Sequence, residues 1–237
     1  MMTPDEKERY SRHLLLPDFG ESGQQKLKDA SVLVVGCGGL GSPVLQYLVA
    51  AGVGRIGMVD ADVVSISNLQ RQILYATPDL GQPKVEVAKQ KLSALNPNVT
   101  FDSYPVMLTP ENGEQIISGY DVVIDCCDNF DTRYLIGDMT AQLGKVLVFG
   151  SIFQFEGQVT VFNYQGGPAY RDLYPEAPEG VRPASEVGVI GVLPGIIGVI
   201  QATEAIKIIA GVGDVLTGKL LLYDALRMSF QVFRFKS

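Results

Sequence analysis

The chain has 237 residues, 46% of them hydrophobic and 19% charged, and a formal net charge of -7. That length supports one substantial core and the composition excludes bulk disorder. The acidic balance, with no run of Lys or Arg, disfavours nucleic acid or an anionic membrane as the main partner. The cysteines are Cys37, Cys126 and Cys127, an odd and sparse set. The first residues, MMTPDEKERYSRH, lack an apolar core. Both features lead to the expectation of a reducing cytoplasmic location without a secretory leader.

In chain order, a helical arm is expected over about 4–29, then a strand over 31–36 (SVLVVG). A glycine turn and a helix to about Ala51 follow, and a second strand over 55–60 (RIGMVD). Val85, Ala88, Leu92 and Leu95 recur at helical spacing within 82–95, and Asn96-Pro97 ends that helix. A strand near 99–104, a short helix near 111–118, a strand at 121–125 (DVVID), a helix over 130–143 and a strand over 145–149 complete an alternating pattern. Such alternation predicts a doubly wound α/β fold with a mainly parallel sheet, Rossmann-like, with helices on both faces. Beyond Gly150, residues 151–156 and 158–163 read as two strands turning at Glu156-Gly157. The segment Gln165–Glu186, rich in Pro, Gly and acids, reads as one functional loop of about twenty residues. An apolar stretch over 187–200 gains Gln201, Thr203, Glu204 and Lys207 at helical spacing. It is read as a buried helix starting near Pro194 and not as a membrane span. Strands at 219–223 and 229–235 close the fold as an antiparallel extension, and no linker divides the chain.

The chemistry lies in five blocks. Gly36, Gly38 and Gly41, with Gly39 between them, form a G-x-G-x-x-G turn between strand and helix. There, small residues let backbone approach phosphate at a helix N-terminus. Asp60, ending the second strand, is placed for ribose hydroxyls, and Asp62 follows it. These two blocks alone fit NAD as well as ATP. Ser67, Asn68, Leu69, Gln70, Arg71 and Gln72 then add an amide and a guanidinium at the sheet edge where ligands bind. Lys84 opens a helix, where a cation is unfavourable for dipole reasons, which favours a phosphate-binding role. Asp125, Asp128 and Asn129 follow the fourth strand. A carboxylate there suits Mg²⁺, and Asp or Asn before a helix also suits an N-cap, so Asp128 is open to either role or both.

In this order and spacing, the blocks resemble the MoeB/ThiF/HesA family, bacterial relatives of the ubiquitin-activating enzymes. The likeness runs from RYSRH at 9–13 to Tyr223-Asp224 and includes EGQVTV at 156–161 and GVLPGIIG at 191–198. The resemblance implies an enzyme that uses ATP and Mg²⁺ to adenylate the Gly-Gly carboxylate of a small ubiquitin-like sulfur-carrier protein, as in molybdopterin or thiamin biosynthesis. It implies a homodimer, and one adenylation domain over 1–237, with an arm (1–29), a nucleotide-binding half (30–150) and a carrier-binding half (151–237). Carried over by position, the glycine loop, Asp60, Asn68, Arg71, Lys84, Asp128 and Asn129 hold ATP. Asp128 binds Mg²⁺ and Arg12 serves as an arginine finger in the other subunit. His13, the only histidine, is read as structural.

The chain also departs from that family. Where relatives carry the first of two C-x-x-C pairs for zinc, it has Ala169 and Asp172, and three scattered cysteines cannot rebuild the four-ligand site. No zinc is expected. Ala184 stands where some relatives have a loop cysteine, so no thiol relay is expected and sulfur must come from a separate donor. Cys126 and Cys127 read as core thiols. Cys37 reads as packing, although a helix N-terminus can lower a thiol pKa. The competing readings are an NAD(P)-dependent oxidoreductase, which leaves Asn68, Arg71 and Lys84 idle, and a carrier-binding scaffold with reduced catalysis.

Overall fold

The structure, a computed structural model, describes residues 2–177 and 187–236. At its centre lies β1 (Ser31–Val35), in which Val32, Leu33, Val34 and Val35 are all buried. A strand apolar on both faces needs cover on both. β1 pairs in parallel with β2 (Arg55–Val59) and β4 (Val122–Asp125). β3 (Thr100–Tyr104) extends the sheet beyond β2, and β5 (Val146–Phe153) extends it beyond β4, both in parallel. β6 (Glu156–Phe162), β7 (Lys219–Asp224) and β8 (Ser229–Arg234) then add on antiparallel. The order is β3-β2-β1-β4-β5-β6-β7-β8, the doubly wound sheet with an antiparallel extension that the alternation predicts.

Three N-terminal helices, α1 (Pro4–Arg9), α2 (Ser11–Leu14) and α3 (Gly20–Asp29), form the arm. It is broken at Tyr10, whose buried ring lies over Gly52, and Asn96 Nδ2 donates to its hydroxyl at 2.8 Å. One face of the sheet is covered by α4 (Gly41–Ala51), α5 (Lys84–Leu95) and α9 (Leu193–Ala210). The other is covered by α6 (Pro110–Ser118), α7 (Phe130–Gln142) and the four-residue α8 (Tyr170–Leu173). The helix α8 lies within the segment 165–186 that reads as loop, and residues 178–186, including Ala184, fall outside the described residues.

The sequence reading is corrected in one region. The residues expected as separate strands at 145–149 and 151–156 form one strand, β5, and the turn falls at Gln154-Phe155, with Gln154 at φ 52°. Gly150 does not break the strand because its missing side chain makes room for another group. A Cβ there would stand 2.4 Å from Cδ of Gln201 on α9. Gly157, expected in the turn, is likewise a contact point, 2.4 Å from Ile197. α9 is long and apolar enough to cross a membrane, yet it packs on the sheet and on α4. Its buried Gln201 and Glu204 are spent in hydrogen bonds to Asp125 O and from Leu216 N.

Candidate active site

Strand order reverses between β1 and β4, and the crevice at their C-terminal ends is where such sheets hold ligands. The chain leaves β1 through Gly36 at φ +94°, where a Cβ would meet the Cys126 carbonyl oxygen at 2.6 Å. At Gly41 a Cβ would meet the Gly36 oxygen at 2.1 Å, so neither position admits a side chain. Gly38 and Gly39 face Gln72 and Pro194 respectively, with the Arg71 stem also 3.5 Å from the Gly39 position. The loop is fixed from behind: the buried Tyr75 hydroxyl donates to Cys37 O at 2.8 Å, and Cys37 N–H donates to Asp60 at 2.7 Å. α4 starts at Gly41 without a side-chain cap; Ser42 N–H is taken by Gly38 O at 2.9 Å and Pro43 has no N–H, so this end offers an anion chiefly the helix dipole.

Asp60 accepts from Asp62 N–H at 2.8 Å as well as from Cys37. Burial, opposed by Lys84 and these N–H donors, holds its carboxyl above the ordinary aspartate range. Lys84 is the first residue of α5 and is buried, its Nζ 2.8 Å from Asp62 Oδ2 and 4.0 Å from Asp60 Oδ2. Ile66–Asn68 form one 3₁₀ turn, and the Asn68 carbonyl accepts from Arg71 and Gln72 N–H. Leu69 packs on the core, Ser67 Oγ lies 3.2 Å from Ser65 Oγ, and Arg71 donates to Ser67 O at 3.2 Å. Gln70 is exposed, its carbonyl 2.2 Å from where a Gly191 Cβ would stand. The segment therefore braces the glycine loop against the start of α9.

On the β4 side the two candidate roles separate. Asn129 is the N-cap of α7, accepting Thr132 N–H at 2.9 Å. Asp128 is exposed and makes no hydrogen bond or ion pair among the described residues. Asp125 is buried, accepts from Cys127 N–H and Sγ–H, and has Arg133 Nε 3.8 Å away. Arg133 also donates to Cys127 O at 2.9 Å, gripping the peptide that leads to Asp128. Sequence reasoning passed over Arg133, Tyr75 and Gln201. The signal for Arg133 was its place one turn into a helix behind a buried acid, and for Gln201 a lone amide in an apolar helix.

The chemistry of these donors suits Mg²⁺. Among the described residues no three His, Cys, Asp or Glu side chains are arranged to hold a metal ion by themselves, and Mg²⁺ takes few protein oxygens beside phosphate and water. The uncommitted Asp128 carboxylate offers one such oxygen. The three cysteines are unpaired and buried, and burial pushes their thiols well up, Cys37 included. The lowered pKa considered for Cys37 is therefore reversed by desolvation.

Arg12 is not brought to this cluster. It is exposed on α2 without an ion pair among the described residues, two residues after Tyr10. Tyr10 packs at Gly52, the far end of the eleven-residue α4, about 16 Å along the helix from the glycine loop. His13 is structural, bonded to Gln24 and packed between Tyr10 and Phe19. On the antiparallel half, a cavity of about 250 Å³ is lined by Ser151, Phe153, Gln158, Leu222, Asp224 and Gln231. Gln158 there donates to Ser151 and accepts from Tyr174.

Known proteins resemble this chain in sequence and in fold. The sequence profile of the ThiF family matches residues 10–237. Over 236 residues the chain is 54% identical to the "Sulfur carrier protein adenylyltransferase" of Thermus thermophilus, covering 97% of this chain and 87% of that protein. It is 50% identical over 238 residues to "Adenylyltransferase and sulfurtransferase MOCS3" of Drosophila sechellia, covering 100% of this chain and 52% of that one. It is 47% identical over 236 residues to "Probable adenylyltransferase/sulfurtransferase MoeZ" of Mycobacterium tuberculosis, covering 97% of this chain and 60% of that one. The chain thus spans nearly all of the first relative and 52% and 60% of the other two. Among solved structures, PaaA superposes with a TM-score of 0.86 at 22% identity, covering 100% of this chain and 75% of that one. E. coli MccB with MccA-N7isoASN superposes at 0.86 with 20% identity, covering 96% and 72%. At those identities the structures speak for the fold.

Proposed function

The chain belongs to the ThiF family, and from that premise we propose that it is an adenylyltransferase acting on a sulfur-carrier protein. Its substrates are ATP and the C-terminal Gly-Gly carboxylate of a small ubiquitin-like carrier, and its products are the acyl-adenylate and pyrophosphate. The observation that carries the reading is a glycine loop at the point of strand reversal with the Arg71 stem 3.5 Å from the Gly39 position and Lys84 Nζ 4.0 Å from Asp60, which holds Cys37 N–H of the loop, together with an uncommitted Asp128 after β4. A nicotinamide oxidoreductase gives those groups no task.

A carboxylate is already ionised at neutral pH, so attack on the α-phosphorus needs no general base. It needs alignment and neutral surroundings for the phosphates and the departing pyrophosphate. The glycine loop offers backbone N–H groups, the start of α4 its dipole, Asp60 an acceptor for ribose, and Arg71 and Lys84 positive charge. Mg²⁺, held by Asp128, would supply further neutralisation of the phosphates. Asn68 and the peptide at Asn129 border the same crevice. The carrier-binding half, with its cavity beside Phe153, receives the acyl partner. A homodimer brings in Arg12, and the distance along α4 supports action in trans. We further propose one functional domain, a cytoplasmic setting consistent with three unpaired thiols, no structural zinc, and a separate sulfur donor.

ATP–pyrophosphate exchange with Mg²⁺, with and without Gly-Gly-ending carriers, tests the reading. Exchange is expected only with a cognate carrier, which also assigns the molybdopterin or thiamin route. Arg71→Ala should lower it by about 10²–10³-fold. Measurable ATP binding without exchange for any carrier would instead favour a binding scaffold.

A further inference from the structure

Asp62 stands in the nucleotide-binding motif, yet its geometry points away from a nucleotide contact. Its N–H donates to Asp60, its carbonyl accepts Lys84 N–H at 3.0 Å, and its carboxylate meets Lys84 Nζ at 2.8 Å. The two ends of that ion pair differ sharply. The Lys84 side chain is 4% exposed and that of Asp62 is 71% exposed. A buried ammonium at the N-terminus of a helix is disfavoured twice, by desolvation and by the dipole, so it requires an anion. Asp60 is too far for a hydrogen bond at 4.0 Å, and both of its oxygens already accept backbone N–H groups. Asp62 is therefore the anion that bonds Lys84.

We propose that Asp62 is a positioning residue acting through Lys84: it is the counter-ion that holds the ammonium beside the glycine loop and yields it to nucleotide phosphate. This rests on the adenylation reading, which brings a triphosphate to that loop. Phosphate oxygens there compete for the same Nζ. The exchange favours phosphate because the released carboxylate already lies mostly in water, whereas the ammonium must keep a partner. Asp62 thus sets a threshold: ligands that carry the outer phosphates displace it, and nucleosides without them do not. Asp62 therefore lowers the affinity for ATP and narrows its margin over adenosine, through a contact that the nucleoside never touches.

The test is calorimetric binding of Mg·ATP and of adenosine to the full-length protein, to Asp62→Asn, to Lys84→Met and to the double variant. The steady-state KM for ATP is measured in pyrophosphate exchange alongside. Asp62→Asn is expected to bind Mg·ATP about two- to fivefold more tightly, the range of a half-exposed ion pair. Adenosine affinity should be unchanged, and KM for ATP should fall without a rise in kcat. In the Lys84→Met background the gain should vanish. Weaker Mg·ATP binding in Asp62→Asn would overturn the proposal and make Asp62 a direct ligand of nucleotide or metal. A gain that persists without Lys84 would reduce it to through-space repulsion. Unchanged Mg·ATP affinity in Asp62→Asn would also overturn it while leaving the adenylation reading intact. Failure of the unaltered protein to bind any nucleotide would overturn both.

Discussion

Asp60, the carboxylate proposed to meet the ribose, carries a charge that its burial opposes. Its pKa lies above the ordinary 3.8, burial being the main cause. In the unfolded chain the group titrates at the ordinary value, so between the two pKa values the folded protein binds more protons. The stability owed to this group therefore rises as pH falls through that window and declines as pH rises through it. Nucleotide binding runs the opposite way, because a protonated Asp60 loses acceptor capacity toward ribose. Titration toward acid should show ATP affinity declining at a pH above that at which an ordinary aspartate protonates. Asp60→Asn should bind more weakly and lose that part of the pH dependence. The Asp125–Arg133 pair makes a different demand. With Asp125 fully buried, Arg133→Met strands a carboxylate and should cost about 3–5 kcal/mol in denaturant unfolding. Adding Asp125→Asn should recover part of it.

At the scale of elements, α9 shows how alike glycines differ. At Gly195 an added Cβ meets nothing within 4 Å, whereas at Gly198 it meets the Leu40 backbone oxygen at 2.6 Å. Gly195→Ala should stabilise by about 0.5–1 kcal/mol through helix propensity alone. Gly198→Ala should destabilise by about 1–3 kcal/mol and loosen the glycine loop that Leu40 adjoins; urea unfolding of both variants checks this. The same distinction explains what was legible in the sequence. Continuous apolar runs at 31–35 and 122–125 announced strands covered on both faces, and glycine spacing announced the loop after Val35. Gly150 and Gly157 were misread as breaks because a residue without a side chain marks a turn or a close approach equally well. Only the position of Gln201 and Ile197 on a helix some fifty residues and forty residues further on decides between them. Tyr75 escaped for a related reason: it acts by gripping a backbone carbonyl, which leaves no pattern in residue type.

At the scale of the whole molecule, Arg12 and its own glycine loop lie toward opposite ends of α4. A dimer in which each arm serves the neighbouring site predicts complementation. Arg12→Ala and Arg71→Ala proteins, each inactive alone and mixed under conditions that exchange subunits, should regain about a quarter of the exchange rate, because half the dimers are mixed and each holds one intact site. Mixing without any recovery would place Arg12 in the site of its own subunit, and an Arg12→Ala protein active alone would place it outside the reaction. Within the chain, β5 joins the parallel part of the sheet to its antiparallel extension. Its first four residues pair with β4, and from Leu147 to Phe153 it pairs with β6. No cut near Gly150 yields two modules that fold apart. The strand is in effect a gauge bar. Phe149 sits opposite Asp125 and Phe153 stands at the far end, four residues and so about 13 Å away. A globular body resting against Phe153 must trail about four extended residues to bring its terminal carboxylate level with Asp125. Under the proposed adenylation, tail length counted in residues would become a property that the fold can read.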